Sequence, residues 1–383
     1  MKETIYMDNA ATTPVAESVV KKMSEFFRDK YGNPSSLYSP ASTAKKEGLD
    51  WSREKIAELL GVDAGEIVFT SGATESDNLA IKGVALKLEE PGHFITSEIE
   101  HHAVLHSFEW LEDQGHEVTY LDVDENGLVK PDDLREALRD DTALVSIMYA
   151  NNEIGTIEPI GELARITREN GTLFHTDAVQ AFGKFPLELE NVDMLSASGH
   201  KIYGPKGIGL LYCRSGVKLE PLIHGGGHES GLRSGTENVP GIVGLAKATE
   251  LTFEEMGREQ ERQRQLRDRI IDEVSRIPDT VLNGPREGRL ANNINFSFQG
   301  IEGESIVMKL DNKNIAASTG SACSSPSLEP SHVLLAIDLP MTMAHGSLRL
   351  TLGRQTSEAD VDYLLDVLPG IIEDLRRASP LSN

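Results

Sequence analysis

The stretch MLSASGHKIYGPKGIGLLYC, residues 194–213, decides the fold. Two apolar runs, Met194–Ala197 and Ile208–Tyr212, flank a loop rich in Gly and Pro, and this pattern predicts two strands. The loop is too short to hold a helix, so we expect at least one antiparallel pairing in the sheet. Upstream of this stretch the pattern differs, because the apolar runs there are separated by amphipathic segments.

The upstream part of the chain, from about residue 66, alternates strand-like and helix-like segments. The strand-like runs are Ile67–Thr70, His93–Thr96, Glu117–Leu121, Ala143–Tyr149 and Leu173–Thr176. The amphipathic stretches typical of helices are Thr74–Leu88, Ala103–Leu111, Pro131–Leu138 and Ile160–Glu169. Alternation of this kind predicts βαβ units, and therefore an α/β fold with a doubly wound, mainly parallel sheet.

A second, smaller domain is expected downstream. Residues 240–277 form one long pattern of increasing charge, typical of a helix that bridges two domains. Beyond it we expect strands and helices of a compact α+β unit, at Asn293–Phe298, Glu304–Asp311, Ile315–Ser318, Leu348–Leu352 and Glu358–Arg377. We therefore predict a large α/β domain of residues 15–258 and a small α+β domain of residues 1–14 and 259–383.

Composition excludes several classes of protein. The chain has 383 residues, of which 39% are hydrophobic and 26% charged, so it can bury sizeable cores. Its 61 acidic and 37 basic residues give a net charge of −24, which argues against binding duplex nucleic acid. Two cysteines, Cys213 and Cys323, cannot form a disulfide framework. Because we find no signal peptide and no apolar window of membrane-spanning length, we expect a cytoplasmic protein.

The loop after Met194–Ala197 contains the motif SGHK, which ends at Lys201. A lysine held in a tight turn beside a buried strand can be kept away from bulk water. Desolvation lowers the pKa of a lysine and leaves a nucleophilic amine, as Schiff-base chemistry requires. The alternative is an exposed loop lysine, and the motif alone favours that reading.

The motif HTDAVQ, residues 175–180, closes another predicted strand. Its Asp177 is placed to pair with a ring nitrogen, and a protonated pyridine ring held by a carboxylate is an electron sink. The alternative is an aspartate that caps a helix N-terminus.

The motif SGATESDN, residues 71–78, follows a strand and opens a helix. Small residues there would let backbone N–H groups approach a phosphate at the helix N-terminus. The motif is not a Walker loop. The alternative is an ordinary helix start with Thr74 and Asp77 as the capping residues.

Two further segments contain chemically useful side chains. Cys323 lies in GSACSSPSLEPSH, whose small polar residues predict a surface loop with a nucleophilic thiol, whereas Cys213 ends an apolar strand and is expected to be inert. Arg349 lies on the alternating strand SLRLTLGR, where it could bind a carboxylate or form a surface ion pair. His102 and His106 have a spacing known from metal sites, but without a third ligand we predict no metal site.

Together and in this order, these motifs resemble the cysteine desulfurases of the NifS/IscS type, which are aminotransferase class V-like members of the fold type I pyridoxal-phosphate enzymes. The resemblance covers nearly the whole chain. Its motifs are YMDNAATTP, YGNPSS, FTSGATESDN, EHHAVL, NNEIGTIEPI, HTDAVQ, SGHKIYGPKGIG, GLRSGTEN, GSACSS and SLRLTLGR.

The resemblance implies a role for each matching residue. Lys201, Cys323 and His101 would be catalytic: Lys201 would bind pyridoxal 5'-phosphate covalently, Cys323 would take the sulfur, and His101 would stack on the ring. Asp177 would pair with the ring nitrogen, and Arg349, with Asn152, would bind the substrate carboxylate. The other implied cofactor contacts are Ala73, Thr74, Asn152, Gln180, Ser198, His200 and Thr236.

The implied reaction converts L-cysteine to L-alanine and leaves a persulfide on Cys323. An iron–sulfur scaffold protein, or a tRNA-thiolation enzyme, would then accept the sulfur, and Cys323 could transiently ligate a cluster on that partner. Thr236 would reach the phosphate of a neighbouring subunit, so the resemblance implies a homodimer. A selenocysteine lyase, another aminotransferase-like enzyme and a non-catalytic assembly subunit are the alternatives. The chain departs from the family pattern at Tyr38, His228 and Pro326.

Overall fold

The structure, a computed structural model, describes residues 4–320 and 330–379. Its strands are β1 Ile5–Tyr6, β2 Ile67–Thr70, β3 His93–Ser97, β4 Glu117–Leu121, β5 Thr142–Ser146, β6 Leu173–Asp177, β7 Met194–Ser198, β8 Gly209–Cys213, β9 Thr280–Leu282, β10 Asn293–Phe298, β11 Ile315–Ala316 and β12 Ser347–Thr351. Its helices are α1 Glu17–Arg28, α2 Ser39–Thr43, α3 Trp51–Leu60, α4 Ala73–Ala85, α5 His102–Asp113, α6 Pro131–Ala137, α7 Ile160–Asn170, α8 Val239–Val274, α9 Gly303–Asp311, α10 His332–Ala336, α11 Met341–Ala344 and α12 Glu358–Ala378. A π-helical segment, Ala44–Asp50, joins α2 to α3.

The large sheet confirms the α/β fold. Its seven strands lie in the order β2-β8-β7-β6-β5-β3-β4. Strand β8 is antiparallel to both of its neighbours, because it follows β7 through a loop and not through a helix. The other pairings are parallel. The carboxyl ends of β2, β3, β5, β6 and β7 therefore meet at one edge, where ligands bind in open α/β sheets.

Several predicted boundaries are shifted. The strand expected at residues 143–149 is observed at Thr142–Ser146, and the next three residues stay buried while the chain leaves the ladder. The helix expected to reach residue 88 ends at Ala85. Helices α1 and α3 and the π-helical segment were not expected from the sequence.

Smaller sheets lie downstream of the large one. Strands β12, β10 and β9 form an antiparallel sheet, and β1 pairs in parallel with β11. The N-terminal strand thus crosses to the C-terminal part of the chain, as expected. The segment that follows β1 then runs back past the edge of the large sheet.

Helix α8 spans 36 residues and contributes to two hydrophobic cores. Its first half packs Ile242 and Leu245 into the core of the large sheet, whereas its second half packs Ile270 and Ile271 against β10, β12 and α12. We propose the division into residues 15–258 and residues 1–14 with 259–383 as the domain organisation, and these two cores support it. Among the residues that the structure describes, no helix combines the length and apolar character needed to cross a lipid bilayer.

Candidate active site

A cavity of about 600 Å³ opens at the carboxyl edge of the large sheet. It lies where loops from several parallel strands and the N-terminal segment meet, and its size suits a cofactor together with a small substrate. The sequence-predicted site residues that line it are Ala73, Thr74, His101, Asn152, Asp177, Gln180, Ser198, His200, Lys201 and Arg349.

Lys201 enters the cavity from the short 3-10 turn that follows β7. Its Nζ donates to the carbonyl oxygens of Ala10 and Ala11, at 2.5 and 2.9 Å. The side chain is half-buried, so Lys201 is not the exposed loop lysine that the motif alone favoured. Two carbonyl acceptors hold the amine inside the cavity, where a carbonyl ligand could meet it.

Asp177 ends β6 and also lines the cavity. Its Oδ1 accepts the backbone N–H of Val179 at 2.9 Å, so it supports the local turn as well as facing the cavity. Burial raises the pKa of Asp177 to about 6, although the Val179 N–H and the positive charge of Lys201 act in the opposite direction. A buried carboxylate of this kind gains stability from a cationic ligand.

The N-terminus of α4 forms one end of the cavity. Gly72 precedes the helix, and no side chain caps it. Thr74 and Asp77 are therefore not the capping residues, and Asp77 instead lies buried 3.7 Å from the neutral His175 ring. The turn at Gly72 lies close against β8, where a Cβ on Gly209 would come within 2.7 Å of the Gly72 Cα. An uncapped helix N-terminus beside Thr74 is a natural site for an anion.

His101 and His200 approach the cavity as neutral rings. Burial, together with the charge of Lys201, lowers the pKa of each to about 4. The Nδ1 atom of His101 accepts the backbone N–H of Ala103 at 3.1 Å, which places its ring proton on Nε2. A neutral imidazole can stack on an aromatic ligand without charge repulsion.

Arg349 lies on β12 and reaches the cavity from the opposite side. Its NH1 donates to the Asn152 and Gly320 carbonyls at 3.1 and 3.4 Å, and its NH2 pairs with Asp8 at 2.9 Å. The guanidinium is thus not a surface ion pair, because its side chain is only 5% exposed. These contacts orient a buried cation toward the site.

Comparison with protein families shows which class of protein this chain belongs to. The model of the aminotransferase class-V family matches residues 5–364, which covers nearly the whole chain. The chain belongs to this family. Enzymes of the class-V family depend on pyridoxal 5'-phosphate, so this class-V protein is a pyridoxal-phosphate enzyme.

Relatives within the class-V family are similar over their full length. The chain is 56% identical to proteins named cysteine desulfurase IscS from Methanosarcina thermophila and Dictyoglomus turgidum, over 99% of this chain and 94% and 97% of theirs. Among solved structures, a NifS-like protein is 41% identical with a TM-score of 0.92, covering 97% of this chain and 100% of its own. The structure of SspA in complex with cysteine is also 41% identical, with a TM-score of 0.81, over 91% and 99% of the two chains.

The side chains of the cavity fit the class-V cofactor. The uncapped start of α4, with Thr74, suits the phosphate, and the buried Asp177 suits a protonated ring nitrogen. Lys201 supplies the amine that such a cofactor requires. These three features line one cavity, as a ligand with a phosphate, a charged ring and a reactive carbonyl group demands.

Two predicted site residues are not among those that the structure places at this cavity. Thr236 does not line this cavity but a neighbouring one of about 220 Å³, which shares Ser71 and Gly207 with it. Cys323 lies outside the described residues, as does Pro326. Of the other departures, Tyr38 is exposed and the ring of His228 accepts the Gly235 N–H.

The remaining two sequence predictions concern Cys213 and the histidine pair. Cys213 is buried at the end of β8, and burial raises the pKa of its thiol to about 12, as expected for an inert residue. The rings of His102 and His106 stack on each other with His332 nearby. Within residues 4–320 and 330–379, no three His, Cys, Asp or Glu side chains are arranged to hold a metal ion.

Sequence reasoning missed the contribution of the N-terminal segment. The motif YMDNAATTP marked it as part of a family pattern only. In the structure, Asp8 holds Arg349, Ala10 and Ala11 hold Lys201, and the Thr12 hydroxyl lies 3.2 Å from the His200 ring. The segment therefore positions residues from both parts of the chain around one cavity.

Proposed function

We propose that this protein is a cysteine desulfurase that converts L-cysteine to L-alanine and delivers the sulfur to acceptor proteins for iron–sulfur cluster assembly. The observation that carries the proposal is the convergence of Lys201, Asp177 and Arg349 on the cavity at the carboxyl edge of the sheet. The names of the relatives at 56% identity support the choice of substrate and reaction.

Each side chain has a distinct task in this proposal. Arg349, held by Asp8, binds the substrate carboxylate with Asn152, and Lys201 removes the proton from the substrate α carbon. Asp177 keeps the ring nitrogen protonated, and His101 packs on the ring face. When bound, pyridoxal phosphate supplies the electron sink for the negative charge that develops at the substrate. Further cofactor contacts are proposed for Ala73, Thr74, Gln180, Ser198 and His200.

The sulfur-transfer step is assigned to Cys323 from the sequence resemblance. Its thiolate forms a bond to the substrate sulfur while the bond between that sulfur and the substrate β carbon breaks. The electron pair of the broken bond stays with the carbon skeleton, which takes up a proton and leaves as alanine. One cysteine and one enzyme thiol thus yield one alanine and one persulfide, so no external oxidant or reductant is needed.

The assembly is proposed to be a cytoplasmic homodimer that meets an iron–sulfur scaffold protein. In support, Thr236 lines a cavity next to the one that contains Lys201 but does not line that cavity itself. A phosphate contact by Thr236 therefore suits the site of a second copy. The net charge of −24 supports a soluble partner over nucleic acid.

The proposed function is tested by product analysis. Purified protein, loaded with pyridoxal phosphate and given L-cysteine with a reductant, should release alanine and sulfide in a 1:1 ratio. Formation of pyruvate and ammonia, or of a keto acid by transamination with no sulfide, would contradict the proposal. Activity with selenocysteine and none with cysteine would identify the selenocysteine lyase alternative.

Replacing Asp177 with asparagine should slow alanine formation by at least about 100-fold, because a neutral amide does not hold a proton on the ring nitrogen. Cofactor content should stay near one per chain, since the phosphate contacts at α4 are unchanged. Steady-state rates and the visible absorption of the loaded protein provide the two measurements.

The matched control for this prediction is Asp193→Asn. Asp193 is a partly buried, hydrogen-bonded carboxylate beside β6, but it contacts the Phe174 N–H and Arg214 away from the cavity. This control should turn over within about threefold of wild type. A rate for Asp177→Asn equal to that of the control would show that the electron sink is arranged differently.

Replacing Arg349 with lysine should raise the KM for cysteine by about 30-fold, because a lysine cannot contact Asp8, two carbonyl groups and the substrate carboxylate together. The kcat at saturation should fall much less. Arg354→Lys is the control, since Arg354 lies over the Tyr203 ring and pairs with Glu255. Equal changes of KM in both variants would count against the assignment.

A further inference from the structure

Lys184 lies directly behind the cavity that contains Lys201. It follows the motif HTDAVQ by four residues, and its Nζ donates to Oε1 of Gln180 at 2.9 Å. Gln180 is only 4% exposed, and its Nε2 donates to the Ala10 carbonyl at 3.1 Å. The Gln180 amide is therefore held at both ends.

The identity of the two partners fixes the direction of this amide. An ammonium group only donates hydrogen bonds and a carbonyl group only accepts them. Oε1 of Gln180 must consequently face Lys184, and its NH2 group must face Ala10. The Ala10 carbonyl also accepts from Lys201, so the contacts run without a break from Lys184 through Gln180 and Ala10 to Lys201.

Lys184 is not placed like an ordinary surface lysine. In the part of the chain that the structure describes, no acidic side chain lies within ion-pair distance of its Nζ, although the chain has 61 acidic residues. It shares with Lys201 the lining of a second, small cavity of about 60 Å³. Burial, together with the positive charges of Lys201 and Arg349, lowers the pKa of Lys184 to about 7. A cation without an acidic partner at this position lowers the stability of the folded protein, so its presence indicates a functional role.

We propose that Lys184 is a positioning residue that holds the Gln180 amide with its NH2 group toward the cofactor cavity. The inference rests on the proposed function, because it takes Gln180 as a cofactor contact. Without the ammonium group, only the Ala10 carbonyl would orient the amide, and Gln180 would turn over more readily and present Oε1 in place of the NH2 group. An oxygen would then repel an oxygen of the ligand where a donor had bound it.

The test is the affinity of Lys184→Met for pyridoxal phosphate. Methionine keeps the length of the side chain but cannot donate a hydrogen bond. After removal of the cofactor, equilibrium titration with pyridoxal phosphate should give a Kd about tenfold above that of wild type. The pH midpoint of the visible band in the loaded protein should also move upward, because a donor and a nearby positive charge are both lost.

Two further variants separate positioning from simple loss of packing. Lys184→Arg keeps the donor and should bind pyridoxal phosphate within about threefold of wild type. Lys184→Gln remains polar but can present either end of its amide, so it should weaken binding even where Lys184→Met fails to fold. Lys82→Met is the matched control, because Lys82 is a half-buried lysine over the Trp110 ring and outside the cavity.

A double-mutant cycle with Gln180→Leu identifies the route of the effect. If Lys184 acts through Gln180, then Lys184→Met should add little to the rise in Kd that Gln180→Leu already causes. Fully additive effects, or a wild-type Kd and pH midpoint in Lys184→Met, would overturn the inference. The proposed function fails separately, namely if wild-type protein does not bind pyridoxal phosphate or does not release sulfide from cysteine.

Discussion

Replacing Lys201 with alanine should reduce release of alanine and sulfide from L-cysteine by at least about 1,000-fold, because in the proposed mechanism this side chain both attaches the cofactor and moves the substrate proton. Among the lysines that the structure describes, only Lys201 donates through its Nζ to the carbonyls of Ala10 and Ala11, so no second lysine occupies the same position. The measurements are steady-state rates and the visible spectrum of the loaded protein.

Lys206→Ala is the control for this prediction. Lys206 follows five residues later and lines the same cavity, but its side chain is exposed. We expect its rate to stay within about threefold of wild type. If Lys206→Ala lost activity while Lys201→Ala kept it, the assignment of the covalent lysine would be wrong.

Replacing Cys323 with serine should reduce sulfide release by at least about 100-fold, because a hydroxyl group is a far weaker nucleophile toward sulfur than a thiolate. Pyridoxal phosphate should still bind with wild-type affinity, since the proposed cofactor contacts do not include Cys323. Addition of cysteine should still change the visible spectrum, which would show that substrate binding is intact.

Cys213→Ser is the matched control, because the chain has only these two cysteines. Cys213 lies in the core beside α4, and burial raises the pKa of its thiol to about 12, so it is almost never a thiolate at neutral pH. Its replacement should lower stability more than turnover. Sulfide release that depends on Cys213 and not on Cys323 would reverse the assignment.

The large sheet could be predicted because each buried parallel strand is a short apolar run between turn residues. The ends of its strands could not be predicted, since the chain stays buried beyond the last paired residue of a strand. Ile147, Met148 and Tyr149 are buried although they follow the last residue of β5. The antiparallel direction of β8 could be predicted, because a short loop without a helix joins neighbouring strands as an antiparallel pair.

The N-terminal helices escaped prediction for a different reason. Helix α1 carries its apolar residues on one face, at Val19, Val20, Met23, Phe26 and Phe27, so the sequence contained its signal and the signal was overlooked; Val19 and Phe26 are buried, whereas Val20 and Phe27 stay exposed. In the following helical region Gly48 suggests a loop. It is needed there because a Cβ would lie 2.6 Å from the side chain of Val239.

The site could be predicted where a local motif contains the chemistry. Asp177 ends β6 and Lys201 lies in the turn that follows β7, and the edge of a parallel sheet brings such positions together. The contacts that orient these two side chains could not be predicted, because those contacts join distant parts of the chain. Lys201 and Ala10 are 191 residues apart, and Arg349 and Asp8 are 341 apart. The role of Lys184 could not be predicted, since its hydrogen-bond partner is an amide group and not a charged group.

The most direct test of the account is a single turnover with cysteine that contains radiolabelled sulfur. Wild-type protein loaded with pyridoxal phosphate is mixed with less than one equivalent of labelled cysteine in the absence of reductant, and the protein is then alkylated and digested. The account predicts one label on the peptide that contains Cys323 for each alanine released, and release of that label by a reductant. Label on the Cys213 peptide, or alanine released with no label on the protein, would contradict it.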